Sequence, residues 1–245
     1  MKSIKESKRT IFNVLFVLFS LLIFALSVLF RNKMNQNPWD GTQFDLSKVN
    51  WLDRTFAHPF SHSLHKLGTL TCLLDLALVP FVFMPLLALK SEHKIKNYFF
   101  LGLTYAETVA LTKGGYDLLK VSVCRIRPFM YFANPYEKAV LSGDWQYSWP
   151  SGHTSNVFLC AAIILCITLI LKDKSKLAKA CVITGYAIAV ITACLRVLSG
   201  NHFPTDVLSG AVFGSMTGFF VPWINYVFGN YTDLIQETSL SVNEK

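Results

Sequence analysis

Six apolar stretches, each long enough to span a hydrocarbon core, dominate this 245-residue chain and leave it few folds to choose from. A membrane-crossing helix needs about 20 predominantly apolar residues. Stretches of that kind lie at 11–30, 67–89, 98–119, 154–171, 180–197 and 207–228. They are continuously apolar rather than alternating, which favours helices over a transmembrane β-barrel. The expected fold is all-α: one bundle of six membrane-crossing helices, a single domain over residues 1–245. No internal repeat or low-complexity stretch divides it.

Basic residues set the orientation. Lys2, Lys5, Lys8 and Arg9 precede the first stretch, as they would a secretory signal. The apolar core is longer than the roughly 7–15 residues of a signal peptide, so a retained signal-anchor helix is expected, with Arg31 and Lys33 beyond it. Lys90, Lys94 and Lys96 follow the second stretch, and Lys172, Lys174, Lys176 and Lys179 follow the fourth. In a six-helix threading these segments share one side, which the positive-inside bias makes cytoplasmic, together with tails 1–10 and 229–245. The sequon Asn230-Tyr231-Thr232 then faces the cytoplasm and stays unglycosylated. A net charge of +8 spread through such linkers reads as a topology signal rather than a nucleic-acid surface.

The opposite, extracytoplasmic face receives 31–66, 120–153 and 198–205. In 31–66, Trp39, Trp51, Phe56 and Phe60 suit an amphipathic element lying in the membrane interface. Of the six cysteines, all but Cys124 sit in apolar stretches, and none has metal-ligand spacing. Neither a zinc site nor a disulfide framework is expected.

Three polar clusters fall on that outer face. Lys120, Arg125 and Arg127-Pro128 close the third stretch, and Arg196 closes the fifth. Snorkelling to headgroups accounts for isolated cations of this kind. Gathered at one site, Lys120, Arg127 and Arg196 form a clamp for a dianionic phosphate, while Arg125 falls at its rim. Pro150-Ser151-Gly152-His153 opens the fourth stretch: Ser151 fits an N-cap, and Gly152 lets an anion approach the free N–H groups of a helix start. A capped helix with an interfacial histidine is the simpler reading of this tetrapeptide alone. His202 and Asp206 stand four residues apart with Pro204 between them. A carboxylate accepting from one imidazole nitrogen would leave the other as a nucleophile; a lone ion pair is the alternative.

Taken in order, Lys120…Arg127-Pro128, Pro150-Ser151-Gly152-His153 and Arg196…His202…Asp206 resemble the type 2 phosphatidic acid phosphatase superfamily over residues 67–225. Leu195 stands where that pattern usually has Ser before the Arg. The resemblance implies a multi-pass membrane phosphatase acting on a lipid phosphomonoester or diphosphate through a phosphohistidine. His202 would attack phosphorus, Asp206 would orient it and His153 would protonate the leaving oxygen. Lys120, Arg127, Arg196, Ser151 and the Gly152 backbone would hold the phosphate. No metal or cofactor is implied, and the expected setting is a bacterial inner membrane. Phosphatidic acid, phosphatidylglycerol phosphate, undecaprenyl diphosphate and lipid A phosphates are all candidate substrates. Transfer to an acceptor lipid uses the same site; a non-catalytic scaffold or transporter fits poorly with every motif position filled.

Asp75, Glu107, Lys113 and Asp117 interrupt the apolar stretches, where charge is costly and usually paired. Lys113 and Asp117 are spaced to neutralise one another, and Gly114-Gly115 beside them suggests close helix packing.

Overall fold

The computed structural model describes residues 2–34, 39–89 and 93–229, and every regular element among them is helical. Six long helices follow the six apolar stretches: α1 (Lys2–Met34), α2 (His62–Ala88), α3 (Lys94–Val123), α4 (Gly152–Ile170), α5 (Lys176–Leu198) and α6 (Pro204–Phe228). Most extend several polar residues past the run that announces them. Within α2, residues Val79–Phe83 wind as a π-helix. Pro80 and Pro85 supply no N–H to the ladder there, which is the usual cause of such a break.

The core is built around α4, which packs against α2, α3, α5 and α6. Its Val157, Leu159, Cys160, Ala161 and Ile163 are wholly buried. By contrast, α1 lies on the flank against α3 and exposes Leu15, Leu18 and Leu22. The two meet closely because Gly114 has no side chain: a Cβ there would stand 3.0 Å from the Ile23 carbonyl oxygen.

Five of the six long helices are apolar enough, by length and composition, to cross a membrane; α3 is not. Its inward face carries Thr104, Glu107, Thr108 and Thr112, all buried. Asn225 of α6 donates to Glu107 at 2.6 Å, and Thr112 donates to Thr217 at 2.7 Å. Polar pairing inside the bundle thus replaces lipid-facing apolarity in this helix. Lys113 does pair with Asp117, which Arg31 of α1 also reaches. Asp75 is buried with its Oδ2 unbonded, and nothing in the structure explains it.

The segments 39–61, 124–151 and 199–203 cap one end of the bundle; 171–175 turns at the other. The interfacial element expected in 31–66 is only partly present. Trp51, in a short helix Trp51–Thr55, and Phe56 are exposed. Trp39 and Phe60 instead pack onto Phe129 and Met130 in a small core above the bundle. The cysteines are all unpaired. Lys90, the sequon and the tail from 230 lie outside the described residues.

Candidate active site

At the capped end a cavity of about 270 Å³ opens among the helix termini. Lys120, Arg127, Gly152, His153, Arg196 and His202 line it, joined by Arg31, His65 and Asp144. Six of the eight expected site residues therefore share one wall. Ser151 and Asp206 stand behind it.

Lys120 ends α3, whose last turn closes on Cys124 in the left-handed region, φ 50°. The chain then runs beside residues 145–148: Arg127 N–H donates to the Trp145 carbonyl and Ser148 N–H to the Arg125 carbonyl, both at 2.8 Å. Lys120 Nζ consequently reaches the Tyr147 carbonyl at 2.9 Å. Ser151 is the N-cap of α4, its hydroxyl accepting from the N–H and the hydroxyl of Thr154. That hydroxyl accepts at the helix start, and Ser151 is not among the residues of the cavity wall. Gly152 is part of it, because a Cβ there would lie 2.9 Å from the Tyr116 ring.

Arg196 ends α5 at 2% exposure, with Nη1 directed toward His65. Its Nε is buried without a hydrogen-bond partner. A guanidinium donor with no protein partner beside a polar cavity can be satisfied by an anion bound there. Lys120 likewise has ammonium protons beyond the one given to Tyr147.

His202, 1% exposed, precedes α6 rather than lying in it. The expected bond from its imidazole to Asp206 is not made: Nδ1 is 3.8 Å from Asp206 Oδ2 but 2.8 Å from the Ser148 carbonyl. The reason is local. Asp206 is the third residue of α6, and its Oδ2 accepts the Phe203 N–H at 2.8 Å and the Ser148 hydroxyl at 2.5 Å. Its Oδ1 takes Arg125. A carbonyl only accepts, so the proton sits on Nδ1 and Nε2 keeps its lone pair. Nε2 faces Arg127 Nη1 at 3.3 Å. Burial first, then the charges of Arg127, Lys120 and Arg196, hold this imidazole well below its ordinary value of 6.5.

Arg125 is not a rim residue: it bridges the buried carboxylates of Asp53 and Asp206. The motifs gave no sign of Ser148, Asp144, Asp53, Thr69 or His65. Ser148 and Asp144 are near misses, since both lie in the loop between the first two clusters.

The model of the PAP2 superfamily matches residues 101–229, more than half of the chain. The chain belongs to the PAP2 superfamily. As a PAP2 protein with long apolar helices it is a multi-pass membrane protein. It is 31% identical over 117 residues to a lipid A 1-phosphatase of Porphyromonas gingivalis, which takes in 48% of this chain and 22% of that protein. A PA-phosphatase related-family protein of Dictyostelium discoideum is 33% identical over 135 residues, 51% of this chain and 48% of that one. The chain thus spans less than half the length of either relative. The crystal structure of a transmembrane PAP2-type phosphatidylglycerolphosphate phosphatase from Bacillus subtilis aligns over 89% of this chain and 98% of its own, at 21% identity and a TM-score of 0.48.

Proposed function

We propose that this PAP2 protein removes phosphate from a membrane lipid at an extracytoplasmic site, with His202 as nucleophile. The observation that carries this reading is the state of His202: Nδ1 is engaged by the Ser148 carbonyl, which leaves the Nε2 lone pair beside Arg127, and the residue lines a cavity shared with His153 and three buried cations. Nε2 attacks phosphorus as the bond to the lipid oxygen breaks, and His153 gives that oxygen a proton. Water then attacks the phosphohistidine, His153 takes the water's proton, and the N–P bond breaks to release inorganic phosphate and restore His202. Lys120, Arg127 and Arg196 balance the charge on the phosphoryl oxygens throughout. Gly152 N–H, at the start of α4, adds a donor.

The six long helices are read as six spans of a bacterial inner membrane. Lys94, Lys96, Lys172, Lys174, Lys176 and Lys179 lie at the end of the bundle away from the cavity, which supports a cytoplasmic assignment for that end. The chemistry uses only protein groups and water, so activity is expected to survive chelators.

Purified protein incubated with radiolabelled lipid phosphates should release phosphate and, after acid-free quenching, retain label on histidine. His202→Ala should abolish both, and His153→Ala should slow release by roughly 100-fold or more. Phosphate release at the native rate from His202→Ala would refute the assignment.

A further inference from the structure

Arg125 belongs to none of the phosphate-facing groups, yet it is tied to two buried carboxylates beside the site. Its guanidinium lies 4.6 Å above the Phe203 ring and reaches two carboxylates that are both 0% exposed. One is Asp206. The other is Asp53, in the segment ahead of α2 and well outside the residues that the family model matches. Asp53 Oδ2 accepts from Arg125 Nη2, Thr205 Oγ1 and Asn50 Nδ2, each at 2.6 Å, and its Oδ1 accepts the Thr205 N–H at 3.0 Å. Arg125 Nη1 also reaches Thr205 Oγ1 at 2.7 Å. The short helix Trp51–Thr55 is thereby pinned onto the start of α6, one residue from Asp206.

The consequence lies at His202. An Asp four residues after a His is the obvious partner for Nδ1, and here it stands 3.8 Å away while a backbone carbonyl takes the bond. We infer that Arg125, held by Asp53, is a positioning residue for His202: it neutralises Asp206 through Oδ1, while the Phe203 N–H and the Ser148 hydroxyl occupy Oδ2, and so leaves the Ser148 carbonyl to orient the imidazole. A carboxylate partner favours imidazolium, whereas a carbonyl beside a neutralised carboxylate leaves the ring neutral and its Nε2 unprotonated. The outer segment is on this account part of the reacting site and not only its cover. The kinetic consequence rests on the reading of His202 as nucleophile; the structural one does not.

The charged and titratable groups around His202 are Lys120 from α3, Arg127 and Asp144 from the following loop, His153 from α4, Arg196 from α5 and Asp206 from α6; Arg31, His65, Cys72, Tyr116 and Tyr136 line the same cavity. Substituting Arg125 alters the balance at Asp206 and at Asp53 and leaves the other groups in place. Arg125→Met alone leaves two buried carboxylates without their cation, which endangers folding. Asp53→Asn/Arg125→Met removes one charge of each sign, so the cluster keeps its native net charge while Asp206 loses its cation and faces His202 as an uncompensated carboxylate.

Histidine-labelled protein in detergent should be titrated by NMR, with the His202 signal assigned from its loss in His202→Ala. In the double variant, and in Arg125→Met if it folds, the His202 midpoint and the acid limb of kcat/KM should both rise by about one pH unit or more. Arg125→Lys should return both toward native. An unmoved midpoint, or an activity loss equal at every pH, would overturn the inference. A midpoint that moves in a protein releasing no phosphate from any lipid would uphold the positioning role and remove the nucleophile.

Discussion

Asp144 grips Arg127 at two points: its backbone carbonyl accepts Nε at 2.8 Å and its carboxylate accepts Nη2 at 2.7 Å. What is left, Nη1, is aimed at the Asn201 carbonyl at 3.0 Å and at His202 Nε2. Arg31 steadies the same carboxylate from the far side at 2.7 Å. Burial pushes the Asp144 carboxyl up, but Arg127, Lys120 and Arg31 outweigh it and keep it below the ordinary 3.8. Asp144→Asn should therefore loosen Arg127 without removing it. Charge-assisted bonds of this kind are worth about 1.5–3 kcal/mol each, so kcat/KM should fall by roughly 10- to 100-fold. Native kcat/KM in Asp144→Asn would show that Arg127 is aimed by other contacts.

His153 has a partner the motifs do not name. Thr69 Oγ1, on α2, lies 3.4 Å from its Nε2, and the Thr69 hydroxyl proton is already given to the His65 carbonyl at 2.9 Å. The oxygen is left as an acceptor for the imidazole. Thr69→Val keeps the shape and removes that acceptor, so kcat should drop by about 10-fold with KM little changed, and Thr69→Ser should recover most of it. A loss confined to KM would point to substrate binding instead.

In the proposed mechanism, protonation of His202 sets the acid side of the pH profile. Its folded value is depressed by burial and by Arg127, Lys120 and Arg196, so the imidazole remains deprotonated as pH falls through 6.5. The expected kcat/KM shows no protonation of the nucleophile near that pH; its acid limb lies well below. A limb at about 6.5 that disappears in no other histidine variant would mean that His202 titrates as an ordinary exposed imidazole.

The long helices were legible because twenty apolar residues in a row permit little else, and the clusters were legible because Lys120, Arg127, His153, Arg196 and His202 sit at the ends of those runs. Which atoms they bond was not. Asp206 at four residues from His202 reads as its partner, but capping Phe203 and pairing with Arg125 compete for the same oxygens, and those competitors come from the turn geometry and from Asp53, 153 residues away in sequence. The polar face of α3 was similarly hidden: Thr104, Thr108 and Thr112 look like interruptions of an apolar run until α6 supplies Thr217 and Asn225.

Relative placement of the two histidines depends on how closely α4 and α6 approach. Gly210, Gly214 and Gly218 form a stripe on α6 at four-residue spacing, laid directly on the backbone of Ser151, Ser155 and Leu159. A Cβ at Gly214 would stand 2.1 Å from the Ser155 carbonyl oxygen and 2.9 Å from its Cα. Backbone cannot rotate away as a side chain can, so the helices must separate. Gly214→Ala should cost about 1–3 kcal/mol, seen as a lower melting temperature in detergent, and should reduce kcat because α4 carries His153 while His202 adjoins α6. Gly102, on α3, has nothing within 4 Å of its missing Cβ, so Gly102→Ala should leave stability equal or raise it by roughly 0.5–1 kcal/mol. Equal melting temperatures for the two variants would mean that α4 and α6 do not meet at this stripe.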